Sequence, residues 1–477
     1  MGDDPLPPGW SWATLDEVAD IVKQQMIPEE QPKVLFNYLS IENIESNSGE
    51  LVKFAPTLGK DIHSAKLAFT TKDILYNKLR PYLNKVHLPS FDGISATDLV
   101  PIRPRADISR EFIAHFLRTR EVVEYANHRM RGIQLPRLPV EELLAVRIPI
   151  PPATEQKRIA IKVEELFQEL IAARRALRKV PPLIKRFRES VLGAAFRGEL
   201  IEPDPNHELT EGIPKEELDV SHEAIASDDS ELQTLPYGWT WIKVSDMIRE
   251  PLRNGKSARP ATSGIGVPVL KLSAVTFKDF GPASIKLCDL RGKDTDGLRV
   301  QNNDILIARS NSMEYVGMGS LYEGPGNAFI FPDLMIRVRV KENVILPKFL
   351  SFYLDSHFAR HYFRKHAFGT AGSMPKISQG VIEKLRVPVP PIRAQEQIVE
   401  RITEVFAMAK VVQTVAEEQL KRTYELEQSM LRKAFTGELV SQDLNDEPAY
   451  ALLARIRKQG TKVQVQTGSK RNLKANQ

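Results

Sequence analysis

The segments RIPIPPATEQKRI (147–159) and RVPVPPIRAQEQI (386–398) are two versions of one pattern, set 239 residues apart. Each opens as a short strand-like run, stops at prolines, and continues with apolar residues spaced as on a helix. Outward from these anchors the match runs without a gap from Pro136 to Leu200, where LGAAFRGEL (192–200) returns as LRKAFTGEL (431–439). Toward the N-terminus the offset shrinks in steps. ISREFIAHFL (from Ile108) and ILPKFLSFYL (from Ile345) differ by 237, and Asp98-Leu99 and Asp333-Leu334 by 235. DILYNKLRP (from Asp73) and DILIARSNS (from Asp304) differ by 231, as do LSIENI (from Leu39) and LKLSAV (from Leu270). LPPGWSWATLDEVADI (from Leu6) and LPYGWTWIKVSDMI (from Leu235) differ by 229. Chance matches would scatter. An offset that only grows along the chain is the mark of a duplicated unit whose second copy gained short loops.

Both copies share one layout. A Trp-rich entry leads into a mixed segment with short strand-like runs such as DILIARS and LMIRVRV. A helix follows, EFIAHFLRTREVVEYANHR or KFLSFYLDSHFARHYFRKH, then the proline stop and a long helical segment. In the first long segment Ile159, Val163, Leu166, Leu170, Ala173, Leu177 and Val180 alternate spacings of four and three. This is a heptad seam, continued through Ile184, Phe187, Val191 and Ala194, with Lys162, Glu165, Arg174 and Arg178 outside it. Pro181-Pro182 should kink or break that helix. The second seam reads Ile398, Ile402, Val405, Ala409, Val412 and Ala416, weakens at Gln419 and Thr423, and resumes at Leu426 and Met430. Two equivalent stripes in one chain predict that the long helices pair with each other. The expected fold is α+β: two globular mixed α/β domains separated by two long antiparallel coiled-coil helices, a pseudo-two-fold internal repeat. The expected boundaries are 1–150 and 232–389 for the globular domains, 151–200 and 390–440 for the helices.

Charge is segregated. The chain of 477 residues carries a net +5, yet 199–231 hold twelve acids and one base, and 455–477 hold seven bases and no acid. The acidic stretch lacks periodicity and reads as a solvated linker over 201–231; residues 441–477 read as a basic, disordered tail. One cysteine, Cys288, excludes an internal disulfide or a cysteine-based zinc site and fits a reducing, cytoplasmic setting. The opening MGDDPLPPGW is unlike a secretory signal, and no uncharged apolar run is long enough to cross a membrane.

Candidate contact loops repeat at matching places with different residues. After DIL come Lys78, Arg80, Tyr82 and Lys85 in copy one, and Arg309, Asn311, Ser312 and Tyr315 in copy two. Before the proline stop come Arg129, Arg131, Gln134 and Arg137, answered by Arg364, Lys365, Thr370, Ser373 and Lys376. Arg suits guanine, Asn and Gln suit adenine, and Lys or Ser suit phosphate, so the pattern fits two readers of unlike DNA sequences on one scaffold. At ~1.5 Å per residue, about 44 helical residues make a rod of roughly 65 Å, the span of some ~20 base pairs. Readers held so far apart would recognise two half-sites with an unread gap. Trp10, Trp12, Trp239 and Trp241 are expected to pack the entry of each domain rather than to stack on bases.

Signals for catalysis are missing. There is no GxxxxGK[ST], no Gly-rich dinucleotide or methyl-donor turn, no Asn-Pro-Pro-aromatic tetrapeptide and no GxSxG. Phe331-Pro332-Asp333 starts like a nuclease motif, but LMIRVRVK after it has no second acid. His357, His361 and His366 lack a partner set for a metal and read as polar helix residues.

The LPxGW entries, the DIL strands, PIPPATEQKRI and the AFRGEL helix end together resemble the specificity subunit of type I restriction-modification systems, over residues 6–440. The resemblance implies a non-enzymatic chain with two target-recognition domains, 1–150 and 232–389, each reading half of a split site in double-stranded DNA. It implies two methyltransferase (modification) subunits and restriction/translocase subunits as partners, with no membrane. S-adenosylmethionine, ATP and Mg2+ would then belong to those partners and none to this chain. Where the first copy has Glu155 the second has Ala394, so the second junction matches less well. A protein-only scaffold, and a self-sufficient methyltransferase or nuclease, are the competing readings.

Overall fold

The computed structural model describes residues 5–201, 235–261, 265–290, 295, 297–369 and 374–458. The chain divides into two compact units, Met1–Arg178 with Ala416–Gln477, and Lys179–Val415. Each unit therefore takes one globular copy together with portions of both long helical segments. The acidic stretch, apart from Ile201, and residues 459–477 lie outside the described residues.

The repeat seen in the sequence extends to strand register. The entry strand Ser11–Thr14 pairs antiparallel with Arg147–Ile150, Trp12 opposite Pro149. Its counterpart Thr240–Lys243 pairs with Arg386–Val389, Trp241 opposite Pro388. Each globular part is thus closed where it begins and ends, just before the proline stop. Behind this clasp lies a four-stranded sheet, in unit one ordered Ala19–Ile21, Leu99–Pro104, Ile74–Asn77, Val86–His87. In unit two the order is Arg253–Asn254, Met335–Val338, Ile305–Ala308, Gly319–Leu321. The DIL motif sits at the heart of both sheets because its two apolar residues are fully buried and its aspartate works locally. Asp73 accepts from the backbone N–H of Thr70 and holds Arg103 at 2.6 and 2.8 Å. Asp304 does the same with Gln301 and Arg339.

The single helix expected before the proline stop is two. In unit one it is Arg110–Leu117 and Arg120–Arg129, with the Thr119 hydroxyl accepting from the Val122 N–H. In unit two it is Pro347–Asp355 and His357–His366, with Ser356 capping Ala359 in the same way. A hydroxyl that offers a new N-terminus in mid-run outcompetes continuation of the helix.

The motif after the prolines fastens the long helices to the globular parts. Gln156 is fully buried, accepting from the Ser109 N–H and donating to Pro151 O. Gln395 repeats this with Leu346, Val344 and Pro390. Glu155, also buried, accepts from the indole of the buried Trp10. Ala394 gives Trp239 no such partner, and Trp239 is only half-buried.

The first long segment is Ala153–Arg178 followed by Val180–Phe196, interrupted at Lys179 as the prolines predict. Pro181 and Pro182 cannot donate to the preceding turn, but they fit the first positions of a new helix. The second long helix, Ile392–Thr436, is continuous for 45 residues. Within unit one the two segments run antiparallel: Arg178 bonds the Tyr424 hydroxyl and Arg174 the Thr423 backbone and hydroxyl. Farther along, Arg158 reaches Asp446. Within unit two the Arg188 guanidinium lies over Phe406, while Leu192, Ala195 and Phe196 share a core with Ile398 and Ile402.

Of the seam residues, Ile159, Val163, Ile398 and Ile402 are fully buried, and Leu166, Leu170, Leu177 and Val405 are half-buried. Val412, Phe187 and Leu426 are exposed, so the stripe is not unbroken. Arg174, expected outside the seam, is buried with Glu427, 2.5 Å away. Near Arg174 the inward positions of the second helix are Thr423, Glu427, Met430 and Leu431, and the stripe is partly polar: Arg174 bonds Thr423 and forms an ion pair with Glu427.

The tail expected to be disordered over 441–477 is built into unit one through residue 458. Residues 449–458 form a helix whose Ala449, Leu452, Leu453 and Ile456 are buried in the core with Trp10, Phe112 and Phe435. The Ala449 N–H donates to Gly9 O, and Arg457 pairs with Glu17. An apolar i, i+3, i+4, i+7 pattern at these four positions outweighs the polar composition around them.

Candidate nucleic-acid interface

Two loops meet at the end of each central sheet, and the sequence brings them there by the same hydrogen bonds. In unit one the strand Ile74–Asn77 ends where the Asn77 side chain bonds the backbone of Leu79 in both directions. Arg80 then takes a left-handed conformation (φ 51°) before the short turn Pro81–Leu83. Such a conformation is costly for a residue preceding proline, and it is held by a bond from the Arg80 N–H to Pro136 O, 2.7 Å. Leu138 N–H donates to Lys78 O, and Arg131 and Arg137 exchange backbone bonds that close a hairpin. In unit two Asn311 N–H donates to Pro375 O, Ile377 N–H to Arg309 O, and Phe368 and Lys376 exchange backbone bonds. Each of these backbone bonds between the two loops has its counterpart in the second frame, whereas the Asn77 side-chain bonds do not, because Ala308 stands at that place.

What the frames display differs. In unit one Arg80, Tyr82, Arg131 and Gln134 are exposed, with Arg131 3.7 Å from Glu142. Three other candidates are turned to structural use. Arg137 grips Asp98 through two bonds of 2.9 Å, which raises its already high pKa, and Lys78 stands 3.8 Å from the same carboxylate. Lys85 donates to Ile41 O, and burial lowers its pKa. In unit two Ser312 and Lys376 are exposed, and Asn311 donates to the Thr276 hydroxyl. Arg309, half-buried, reaches the backbone oxygen of Asp333, the counterpart of Asp98. Tyr315 is half-buried, and the Arg364 and Arg360 guanidinium groups brace Met313 O and Glu314 O. Thr370 and Ser373 lie outside the described residues.

Other residues singled out from the sequence are placed elsewhere. Phe331 is buried in a core, and Asp333 accepts from the Ser257 hydroxyl. His357 packs on Phe358, and His366 bonds Tyr362 O. Among the described residues no group of three or more His, Cys, Asp or Glu is placed to hold a metal ion, and no helix is long and apolar enough to cross a membrane. The sequence reading missed the apolar members of the loops: Ile133, Leu135, Met313, Phe368 and Met374 are all exposed. Their signal was an apolar side chain within loops of otherwise polar residues, where no core pattern calls for one.

A family model described as the type I restriction modification DNA specificity domain matches residues 7–178 and 287–421, more than half of the chain and one segment for each copy. The chain belongs to that family. It is 28% identical to the type I restriction enzyme EcoKI specificity subunit of Escherichia coli K12, over 96% of this chain and 97% of that one. It is 27% identical to the StySPI specificity subunit of Salmonella potsdam, over 96% of both. The fold is similar to a solved chain of a type I restriction-modification system (TM-score 0.69, 24% identity, 91% of this chain and all of that one). It is also similar to the HsdS subunit from Thermoanaerobacter tengcongensis (TM-score 0.51, 23% identity, 92% and 99%). As a specificity subunit with DNA-recognition domains, the chain has a reason to carry two loop frames that are alike in backbone and unlike in side chains.

Proposed function

We propose that each unit reads one half of a split DNA site and that the chain performs no chemistry of its own. The observation that supports this is the shared hydrogen-bond frame presenting Arg80, Tyr82, Arg131 and Gln134 in one unit and Asn311, Ser312 and Lys376 in the other. A fixed frame holds polar groups against base edges at low entropic cost, and changing the side chains changes the sequence read. Lys78, Arg137 and Lys85 act behind the loops of unit one, where Asp98 and Ile41 O fix them. In this reading modification subunits bind the chain and supply methyl transfer from S-adenosylmethionine, and restriction subunits supply ATP- and Mg2+-dependent work.

The test is the pattern of methylated bases produced by the chain assembled with its modification subunits. A split site is expected, and exchanging 6–136 for the same segment of another family member should change one half only. Methylation indifferent to sequence, or a change in both halves, would refute the reading. Substituting Arg80→Ala should weaken recognition of one half-site by roughly 1–3 kcal/mol if it contacts a base, and uniformly across sequences if it contacts phosphate.

A further inference from the structure

The hairpin closed by Arg131 and Arg137 carries at its tip one aliphatic side chain wholly in water and a second that is half exposed. Ile133 is 101% exposed and Leu135 48%. A lone aliphatic residue in water is ordinary. Ile133, at the end of a braced turn among cations, buries nothing and so gives folding no benefit. The brace is rigid: Arg131 and Arg137 exchange backbone bonds of 2.8 and 2.9 Å, Arg137 grips Asp98, and Arg80 N–H fastens Pro136. Gly132 permits the turn through a positive φ of 104°.

The surroundings select the partner. The segments 77–85 and 129–138 hold six bases (Lys78, Arg80, Lys85, Arg129, Arg131, Arg137) and no acid. Asp98 pairs with Lys78 and Arg137, and Glu142 with Arg129 and Arg131, which leaves the positive charge in excess. An apolar point ringed by cations suits a polyanion with an apolar interior, which describes duplex DNA. In unit two Phe368 and Met374 are 56% and 52% exposed.

We propose that Ile133, backed by Leu135, is a wedge that enters the base stack of the half-site read by unit one and opens one base step. Arg80 and Arg131, exposed on the same two loops, flank the opened step. The inference rests on the DNA-reading assignment and adds to it a deformation of the duplex, so that a stiff step at that position is disfavoured without any base contact.

The test uses the full chain with its modification subunits and duplexes carrying the methylated site, with 2-aminopurine placed in turn at the adenines of that half-site and its border. The native complex should brighten the probe beside one step. Ile133→Ala should abolish that signal and weaken site binding roughly tenfold, while Ile133→Met retains both. The thermal midpoint should not move, because the side chain is in water. Brightening from a base extruded for methylation would persist in the alanine variant and so is told apart. Native signal and affinity in Ile133→Ala overturn the wedge, as does lost affinity with no probe brightened by the native complex. If the native complex prefers no site, the DNA-reading assignment itself fails; the wedge alone fails when native and Ile133→Ala complexes bind the site alike.

Discussion

A single buried glutamine shows how this family motif works. Gln156 satisfies the Ser109 N–H at the start of one helix and the Pro151 carbonyl at the start of another. Gln156→Ala strips these bonds from the buried Pro151 carbonyl and the half-buried Ser109 N–H, and the expected loss is about 2 kcal/mol in urea unfolding of the full chain. Gln395→Ala should cost a similar amount, since Gln395 has the same partners in unit two. Glu155→Gln should cost less, because an amide oxygen still accepts from Trp10. The charged groups carry a pH dependence. The Arg158 guanidinium holds the Asp446 carboxyl below its ordinary value of 3.8. A folded-state pKa that is depressed stabilises the fold above the unfolded value, and this is lost as pH falls through the folded one. Asp446→Asn should therefore lower stability at neutral pH and flatten the acid limb below about pH 4, where native and variant curves converge.

At the scale of elements, the buried Arg174–Glu427 pair is the point where the helical seam turns polar. Burial pushes the Glu427 carboxyl up, opposed by the Arg174 guanidinium. Removing one partner strands the other charge, so Arg174→Met and Glu427→Leu are each expected to destabilise by roughly 3–5 kcal/mol. Replacing both should recover most of that loss, which a double-mutant cycle on thermal unfolding measures. A double variant no better than the singles would show that the Arg174–Thr423 bonds, not the pair alone, hold this layer. The seam itself was legible as a heptad, and Ile159, Val163, Ile398 and Ile402 do line cores. Its polar layer was not, since an arginine inside a helix pair has the same sequence signature as one in water.

On the scale of the whole molecule, residues 441–458 belong to unit one although a linear reading assigns them to a tail. Ending the chain at Val440 removes Leu452, Leu453 and Ile456 from a core that includes Trp10 and Phe435. At ~1.5–3 kcal/mol per buried aliphatic side chain, the loss to unit one is roughly 5 kcal/mol or more. The expected outcome is a chain whose unit-one half-site is no longer read, with the other half kept. Methylation mapping of the truncated complex measures this, and loss of both halves together would show that the units do not fold separately.

The duplication, the DIL strands at the centre of each copy, the helix break at Pro181-Pro182 and the family are all legible in the order of the amino acids. These are local or periodic signals: strand alternation, heptad spacing, the missing N–H of proline, and motifs repeated at a drifting offset. The tertiary structure alone decided which loop cations face solvent and which are tied to Asp98 or Ile41, because equal side chains differ only in what lies across from them. It alone placed Arg174 inside the helix pair, and it alone brought 449–458 back to Gly9 and Glu17 on either side of the entry strand, 440 residues earlier. Contacts between residues so distant in the chain form once packing has brought them together, and no window of sequence contains both partners.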